Sequence, residues 1–235
     1  MTTILVTRPS GDADHVVGAL ETAGYRVHAV ATVATQSLEF DQPDLARYDW
    51  IVVTSAAGVG ALSEFSAGRK WAAVGQATAR ALRARGVEPA LVPDEANGLA
   101  LANALPDVQG KRLLLVRAAA AAPDLPERLR ERGAEVDELA AYLTIEGPAS
   151  ASDPLKGALA DVDLAAIVFA SGSAVRGFIA LGGTASWPAI TIGPRTTRVA
   201  RQLGFRVVAE AERQSVEALA AAVVGAIPVE EKNSA

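Results

Sequence analysis

The chain of 235 residues has no cysteine and only two histidines, His15 and His28. The lack of cysteine excludes disulfides, thiolate metal sites and a cysteine nucleophile, and two imidazoles are too few for a histidine-based metal cluster. No apolar run reaches the roughly 18 residues of a membrane span, and the start MTTILVTRPS lacks the pattern of a signal peptide. We therefore expect a soluble, cytoplasmic protein.

Positive charge is not in excess. The chain has 22 Lys and Arg against 27 Asp and Glu, a net charge of −5, so nucleic acid is not an expected partner. Half of the residues are apolar, which is enough to form the core of one large domain or two modest ones.

Two stretches, residues 71–91 and 190–208, read as copies of each other. Each has an apolar run, a glycine, a threonine three residues later, helical periodicity, a glycine stop and a second extended run, which predicts strand, turn, helix and strand. The shared positions are Gly75 and Gly193 at the turn, and Thr78 and Thr196 in the helix. A helix start of this kind attracts anions, although each threonine could also be only an early helix residue or a cap. The duplication favours two anion-facing helix starts.

Two further pairs of repeated segments occur, and the first of these pairs has a βαβ pattern. Residues 1–35 predict a strand at Ile4–Thr7, a helix from about Asp12 and a strand to Val30, and residues 111–144 repeat this order. In the other pair, DWIVVTSAAGVGAL at residues 49–62 matches LAAIVFASGSAVRGF at residues 164–178, with Ser55 or Ser171 where a helix should begin. Serine at such a position caps helix N–H groups, and capping and ligand contact are both open for it. Alternating strands and helices predict a parallel sheet in each half, with ligand-binding loops at the carboxyl ends of the strands.

Seven short blocks occur in order along the chain: TRP, VVTSAAGV, VGQATARAL, LLLVR, GAEVDELAAY, VFASGSAV and IGPRTTRVA. In this order they resemble the uroporphyrinogen-III synthase family, and the resemblance extends over nearly the entire chain. The resemblance implies two three-layer α/β/α domains with parallel sheets, joined by a two-stranded extended linker, with the active site in the cleft between them. Domain 1 would comprise residues 1–34 and 147–235, domain 2 residues 37–144, and the connectors residues 35–36 and 145–146. The repeat alone would divide the chain once, near Gly110.

The chemistry implied by the resemblance is that of a hydro-lyase of tetrapyrrole, porphyrin and heme biosynthesis. Such enzymes take the linear tetrapyrrole hydroxymethylbilane, lose water, invert ring D through a spiro intermediate and close the ring to uroporphyrinogen III. The pyrroles supply the electrons, so neither a metal nor another cofactor is expected. The expected protein is a monomer that acts on a small molecule, binds neither nucleic acid nor membrane, and makes only transient contact with hydroxymethylbilane synthase.

The resemblance also implies roles for individual residues. Tyr142 matches the family tyrosine that assists hydroxide loss, and Thr78 and Thr196 match threonines that face the cleft. Carboxylates of the substrate would lie on backbone N–H groups and side chains at Ser55, Gln76, Ser171, Ser173 and Gly193, with a charge-assisted contact from Arg8. Without the resemblance, Tyr142 would be read as a strand aromatic packed at a domain edge, and Arg8 as a surface ion pair.

Two other classes stay open. A two-lobed α/β protein could bind a small anion as a sensor without chemistry, and a nucleotide-dependent transferase is disfavoured because neither GxGxxG nor GxxxxGK[ST] occurs. The chain also departs from the family in two places. Residues 118–122 are alanines where the family often has glycines and an arginine, and Arg195 lies inside the GPRTT turn, where it could reach a carboxylate or point to solvent.

Overall fold

The computed structural model describes residues 1–8, 14–65 and 68–229, so the predicted helix start at Asp12 lies outside the described residues. The chain divides into two compact units. Unit 1 is formed by Met1–Ala34 and Ile145–Ala235, and unit 2 by Thr35–Thr144.

The described part of the chain contains ten strands and nine α-helices. The strands are β1 (Thr3–Thr7), β2 (Arg26–Val30), β3 (Val33–Ser37), β4 (Trp50–Val53), β5 (Lys70–Ala73), β6 (Arg112–Ala118), β7 (Glu135–Glu146), β8 (Leu164–Phe169), β9 (Ala189–Thr191) and β10 (Val207–Glu210). The helices are α1 (Asp14–Thr22), α2 (Ala56–Ala61), α3 (Gln76–Arg83), α4 (Gly98–Ala104), α5 (Asp124–Glu131), α6 (Ser152–Leu159), α7 (Gly172–Ala180), α8 (Pro194–Gln202) and α9 (Val216–Ala226). Short 3₁₀ helices lie at Leu45–Arg47 and Ala149–Ala151.

Each unit is built on one five-stranded sheet. In unit 1 the order is β10-β9-β8-β1-β2 and every neighbouring pair is parallel. In unit 2 the order is β3-β7-β6-β4-β5, with β7, β6, β4 and β5 parallel to one another. The predicted α/β fold with parallel sheets is therefore confirmed. The single division near Gly110 is wrong, because β1 pairs with β8 and β4 pairs with β6, across that point in the sequence.

Successive side chains of the central strands point to opposite faces of the sheet and are apolar on both, which explains why helices cover both faces. In β1, Ile4 and Val6 pack with residues of α1 and α9, whereas Leu5 packs with residues of α6, α7 and α8. In β4, Ile51 and Val53 lie in a hydrophobic cluster with residues of α2 and α3. Trp50 and Val52 lie in a second cluster with residues of α4 and α5. Strands buried on both faces are typical of parallel sheets.

The predicted repeat of strand, turn, helix and strand is present in both units. β5 leads through Gly75 into α3, and β9 leads through Gly193 into α8, where Pro194 occupies the first turn. Both helices are followed by a glycine in the left-handed region, at φ +78° for Gly86 and +88° for Gly204.

The two copies differ in their final extended run. In unit 1 it forms β10, but in unit 2 it contributes only a bridge between Leu91 and Ala72. Pro89 and Pro93 flank this bridge, and proline has no N–H to donate to a sheet, which explains the shorter pairing. Along the described ranges, no helix combines the length and the apolar character needed to cross a bilayer.

Candidate active site

In unit 1, the predicted site residues lie at the carboxyl edge of the sheet. β1 ends at Thr7, β8 at Phe169 and β9 at Thr191, and these strands are parallel and adjacent. Arg8, Ser171 and Gly193 follow these strand ends directly or within two residues, and Ser173 and Thr196 lie in the first turns of α7 and α8. The fold therefore brings five of the predicted residues to one edge.

In unit 2, the remaining four lie at the equivalent edge of the other sheet. Ser55 follows β4, Gln76 begins α3 and Thr78 is in its first turn. Tyr142 lies in β7 opposite Ala118, the last residue of β6. Each set of residues is brought together within its own unit.

Ser55 and Ser171 are the N-caps of α2 and α7, which is one of the two roles that the sequence leaves open for them. Ser55 Oγ accepts a hydrogen bond from the Gly58 N–H at 3.0 Å, and Ser171 Oγ accepts one from the Ala174 N–H at 3.1 Å. Ser171 Oγ also lies 2.9 Å from Ser173 Oγ. A capping serine uses its oxygen as an acceptor, which leaves the hydroxyl proton of Ser55 free to donate.

The two predicted threonines differ from the serines, because their hydroxyls are unpaired in the part of the chain that the structure describes. Thr78 is 3% exposed and Thr196 is 5% exposed, yet neither hydroxyl forms a hydrogen bond with any residue that the structure describes. Each stands in the first turn of a helix whose N-cap is a glycine without a side-chain cap. Both helix starts therefore retain unused donors and acceptors.

Tyr142 is 7% exposed and packs in the apolar cluster that contains Val53, Trp71 and Val116. Its carbonyl accepts a hydrogen bond from the Ala119 N–H at 2.9 Å, which fixes the strand at this point. Within the described residues, the hydroxyl of Tyr142 forms no hydrogen bond. A buried ring with an unused hydroxyl is compatible with core packing and with a proton donor held at a fixed place.

Arg8 and Arg117 occupy matching places after β1 and at the end of β6, but their surroundings differ. Arg117 is 5% exposed, its Nη1 donates to Glu138 Oε2 at 2.8 Å, and its Nη2 donates to the Ala122 carbonyl. Nε and Nη1 of Arg8 are buried without a hydrogen-bond partner in the part of the chain that the structure describes. Buried N–H groups of a cation are costly to leave unpaired, so this guanidinium is suited to an anionic ligand.

The contacts of Arg117 also bear on the departure at residues 118–122. The Ala122 carbonyl accepts a hydrogen bond from Arg117, which holds this loop at the end of β6, while the same guanidinium pairs with Glu138 of β7. Arg195 is exposed and forms no ion pair within the described ranges, so its side chain points to solvent.

Sequence reasoning missed a group of polar residues beside the start of α8. Thr191 Oγ1 lies 2.6 Å from Thr197 Oγ1, and the Thr197 hydroxyl donates to Glu210 Oε2. Gln214 lies over Gly193, since a Cβ on that glycine would lie 3.2 Å from the Gln214 Cγ. The repeat could have identified these residues, because the first copy has alanine or valine at the same places. Across the described ranges, no three acidic or histidine side chains are placed to hold a metal ion.

The fold and the placement of these side chains define a class: an α/β protein with parallel sheets whose unused polar groups gather at the carboxyl edges of the strands, where such folds bind ligands. The family model described as uroporphyrinogen-III synthase HemD matches residues 14–221. The chain therefore belongs to the uroporphyrinogen-III synthase family.

Individual relatives agree with this assignment. The uroporphyrinogen-III synthase of Synechococcus elongatus is 29% identical, with 94% of each chain covered. The porphyrin biosynthesis protein HemD of Ruminiclostridium josui is 27% identical over 93% of this chain, which spans 47% of that longer protein. The crystal structure of uroporphyrinogen-III synthetase from Helicobacter pylori has a TM-score of 0.70 at 18% identity and covers 96% of this chain and 99% of that one, which supports the fold.

Proposed function

We propose that this protein is a uroporphyrinogen-III synthase, which cyclises hydroxymethylbilane with inversion of ring D and loss of water. The observation that carries the proposal is the match of the family model to residues 14–221, which includes every strand of both sheets except β1 and all of the predicted site residues except Arg8. The unused hydroxyls and the guanidinium N–H groups at the strand ends support it.

The proposed roles follow from what each group has available. Tyr142 assists the departure of hydroxide by donating its hydroxyl proton or a hydrogen bond, because no described residue occupies that hydroxyl. Thr78 and Thr196 hold the substrate through hydroxyls that bind no other side chain or carbonyl in the described ranges. Arg8 binds a carboxylate through its buried N–H groups.

The remaining predicted contacts belong to the same proposal. Gln76 is exposed at the first position of α3 and offers an amide, and Gly193 is the N-cap of α8, whose start has no side-chain cap. Ser55 and Ser171 act mainly by capping the helix starts, and Ser173 contacts Ser171, with the protons that these hydroxyls leave free as secondary contacts to the substrate. The substrate is proposed to contact both units, which would act as the two domains of a cytoplasmic monomer.

The proposal is tested by a coupled assay. Hydroxymethylbilane is generated by its synthase in the presence of this protein, the product is oxidised, and the porphyrin isomers are separated by chromatography. Isomer III is expected to predominate, whereas a protein that only binds the tetrapyrrole would leave the isomer I of spontaneous closure.

A further inference from the structure

The two copies of the strand–turn–helix repeat can be compared residue by residue. With Gly75 placed on Gly193, residues 72–97 align with residues 190–215 without a gap. The bridge between Ala72 and Leu91 then falls on the pair Ile190 and Ala209, which are partners in unit 1. The residues that cap the next helices also coincide, since Asn97 caps α4 and Ser215 caps α9. The alignment is therefore structural as well as sequential.

This alignment shows that the two helix starts are not equivalent. Four positions around the start are apolar in unit 2 and polar in unit 1. They are Ala73, Ala79, Val92 and Ala96 in unit 2, against Thr191, Thr197, Glu210 and Gln214 in unit 1. Packing alone does not explain why all four polar side chains lie in the same copy.

In unit 1, three of these four side chains form a hydroxyl–carboxylate chain, which consists of Thr191, Thr197 and Glu210. Thr191 is fully buried and Thr197 is 5% exposed, with 2.6 Å between their hydroxyl oxygens. Thr197 donates its proton to Glu210 Oε2, so Thr191 must donate to Thr197. Glu210 lies opposite Thr191 in the sheet, at the carboxyl end of β10. One carboxylate oxygen is therefore held by Thr197, and Glu210 as a whole is an exposed residue.

A carboxylate fixed in this way can only accept hydrogen bonds, and it has about four acceptor sites, of which Thr197 uses one. It repels the acetate and propionate groups of a tetrapyrrole and attracts the pyrrole N–H groups. We propose, building on the function given above, that Glu210 contacts the substrate by accepting hydrogen bonds from pyrrole N–H groups at the start of α8. The start of α3 has valine at the matching position and no equivalent contact.

The contact strengthens during the proposed reaction. When the hydroxymethyl C–O bond breaks, its electron pair leaves with the oxygen, which takes a proton and departs as water. The nitrogen lone pair of that pyrrole is then delocalised towards the exocyclic carbon, which becomes double-bonded to the ring, so the ring is an azafulvenium cation. The charge disappears when a pyrrole carbon of the other end attacks the exocyclic carbon and a proton is lost. A carboxylate on the ring N–H stabilises the cationic stage more than the neutral substrate, which is the condition for an effect on kcat.

The test is steady-state kinetics of Glu210→Gln, which keeps the size of the side chain and removes its charge. We expect kcat to fall about tenfold, with a change in KM of less than about threefold, because the charge matters most at the cationic stage. Glu212→Gln is the matched control: it makes the same change two residues further along, at an exposed side chain without a contact among the described residues. It should stay within about twofold of the wild type in both constants.

A second pair of variants tests the hydroxyl–carboxylate chain. Thr197→Val removes the hydroxyl that holds Glu210 and should lower kcat, while Thr197→Ser keeps the hydroxyl and should restore it. Thermal unfolding of every variant is measured alongside. If Glu210→Gln behaves like Glu212→Gln, the role of Glu210 is wrong even though the enzyme is active. If the wild-type protein gives only isomer I, the proposed function fails first and this inference fails with it.

Discussion

At the scale of single residues, substitutions of the two buried tyrosines of unit 2 distinguish an effect on catalysis from an effect on stability. Tyr142→Phe should lower kcat by at least about tenfold, because it removes the proposed proton donor. It should leave the unfolding midpoint almost unchanged, since the hydroxyl has no partner among the described residues. Steady-state kinetics and thermal unfolding measure the two effects.

Tyr48 provides the matched control for that substitution. It lies in the same apolar cluster, but its hydroxyl donates to Asp137 Oδ2 at 3.0 Å, and Arg112 binds the same carboxylate oxygen at 2.7 Å. Burial and the neighbouring Asp137 raise the pKa of the Tyr48 phenol. Tyr48→Phe should cost about 1 kcal/mol of unfolding free energy and leave kcat within about twofold. Wild-type turnover in Tyr142→Phe would remove Tyr142 from the mechanism.

Arg8 and Arg117 form a second informative pair. Arg8→Gln should raise KM about tenfold by removing a charge-assisted contact, without loss of stability, because its buried N–H groups are unpaired in the described part of the chain. Arg117→Gln should instead lower the free energy of unfolding by about 2 kcal/mol, since it removes the charge-assisted hydrogen bonds of a side chain that is 6% exposed. Kinetics and urea unfolding of both variants would test this contrast, and a large loss of stability in Arg8→Gln would contradict it.

At the scale of elements, the start of α7 can be changed in two ways that separate capping from binding. Ser171→Ala removes the acceptor for the Ala174 N–H and should cost about 1 kcal/mol of unfolding free energy. Ser171→Asp keeps a capping oxygen and should retain that free energy, but its charge should repel a substrate carboxylate and raise KM. Urea unfolding and KM are measured together, and an unchanged KM in Ser171→Asp would argue against carboxylate binding at this helix start.

Much of the local structure could be predicted from the sequence, because its determinants are local. Alternating apolar residues, capping serines and the stop glycines Gly86 and Gly204 indicate the strands and helices within a few residues. The pairing of β1 with β8 could not be predicted from the repeat, because it joins residues about 160 positions apart and depends on which units share a sheet.

The site shows the same limit. The glycine and threonine of each repeat were visible because they recur in both copies. Glu210 was overlooked because it contacts Thr197 only after β9 and β10 have paired in register. Arg8 and Arg117 look alike in sequence, and only the fold shows that Glu138 lies within reach of Arg117.

At the scale of the whole molecule, stability should depend on pH through Asp161. A hydrogen bond from the Asp163 N–H, followed by contacts with His28 and Arg26, lowers the pKa of the Asp161 carboxyl from 3.8 to about 2. Because the folded pKa lies below the unfolded one, this stabilisation is fully present above pH 3.8 and is lost as the pH falls towards 2.

Asp161→Asn should therefore flatten the dependence of unfolding free energy on pH between about 2 and 4, as measured by urea unfolding. Asp153→Asn changes an aspartate whose side chain is 93% exposed and serves as the control that keeps the wild-type slope. Equal slopes in all three proteins would show that Asp161 does not carry this dependence.

The central claim concerns what the whole molecule does to a linear tetrapyrrole, and the ratio of porphyrin isomers measures it directly. Hydroxymethylbilane is supplied at a fixed rate, the concentration of this protein is varied, and the oxidised products are separated by chromatography. The account predicts that the share of isomer III rises with protein concentration until it predominates, and that heat-denatured protein leaves isomer I. Isomer I at every concentration of well-folded protein would contradict the account and indicate a scaffold kept for binding alone.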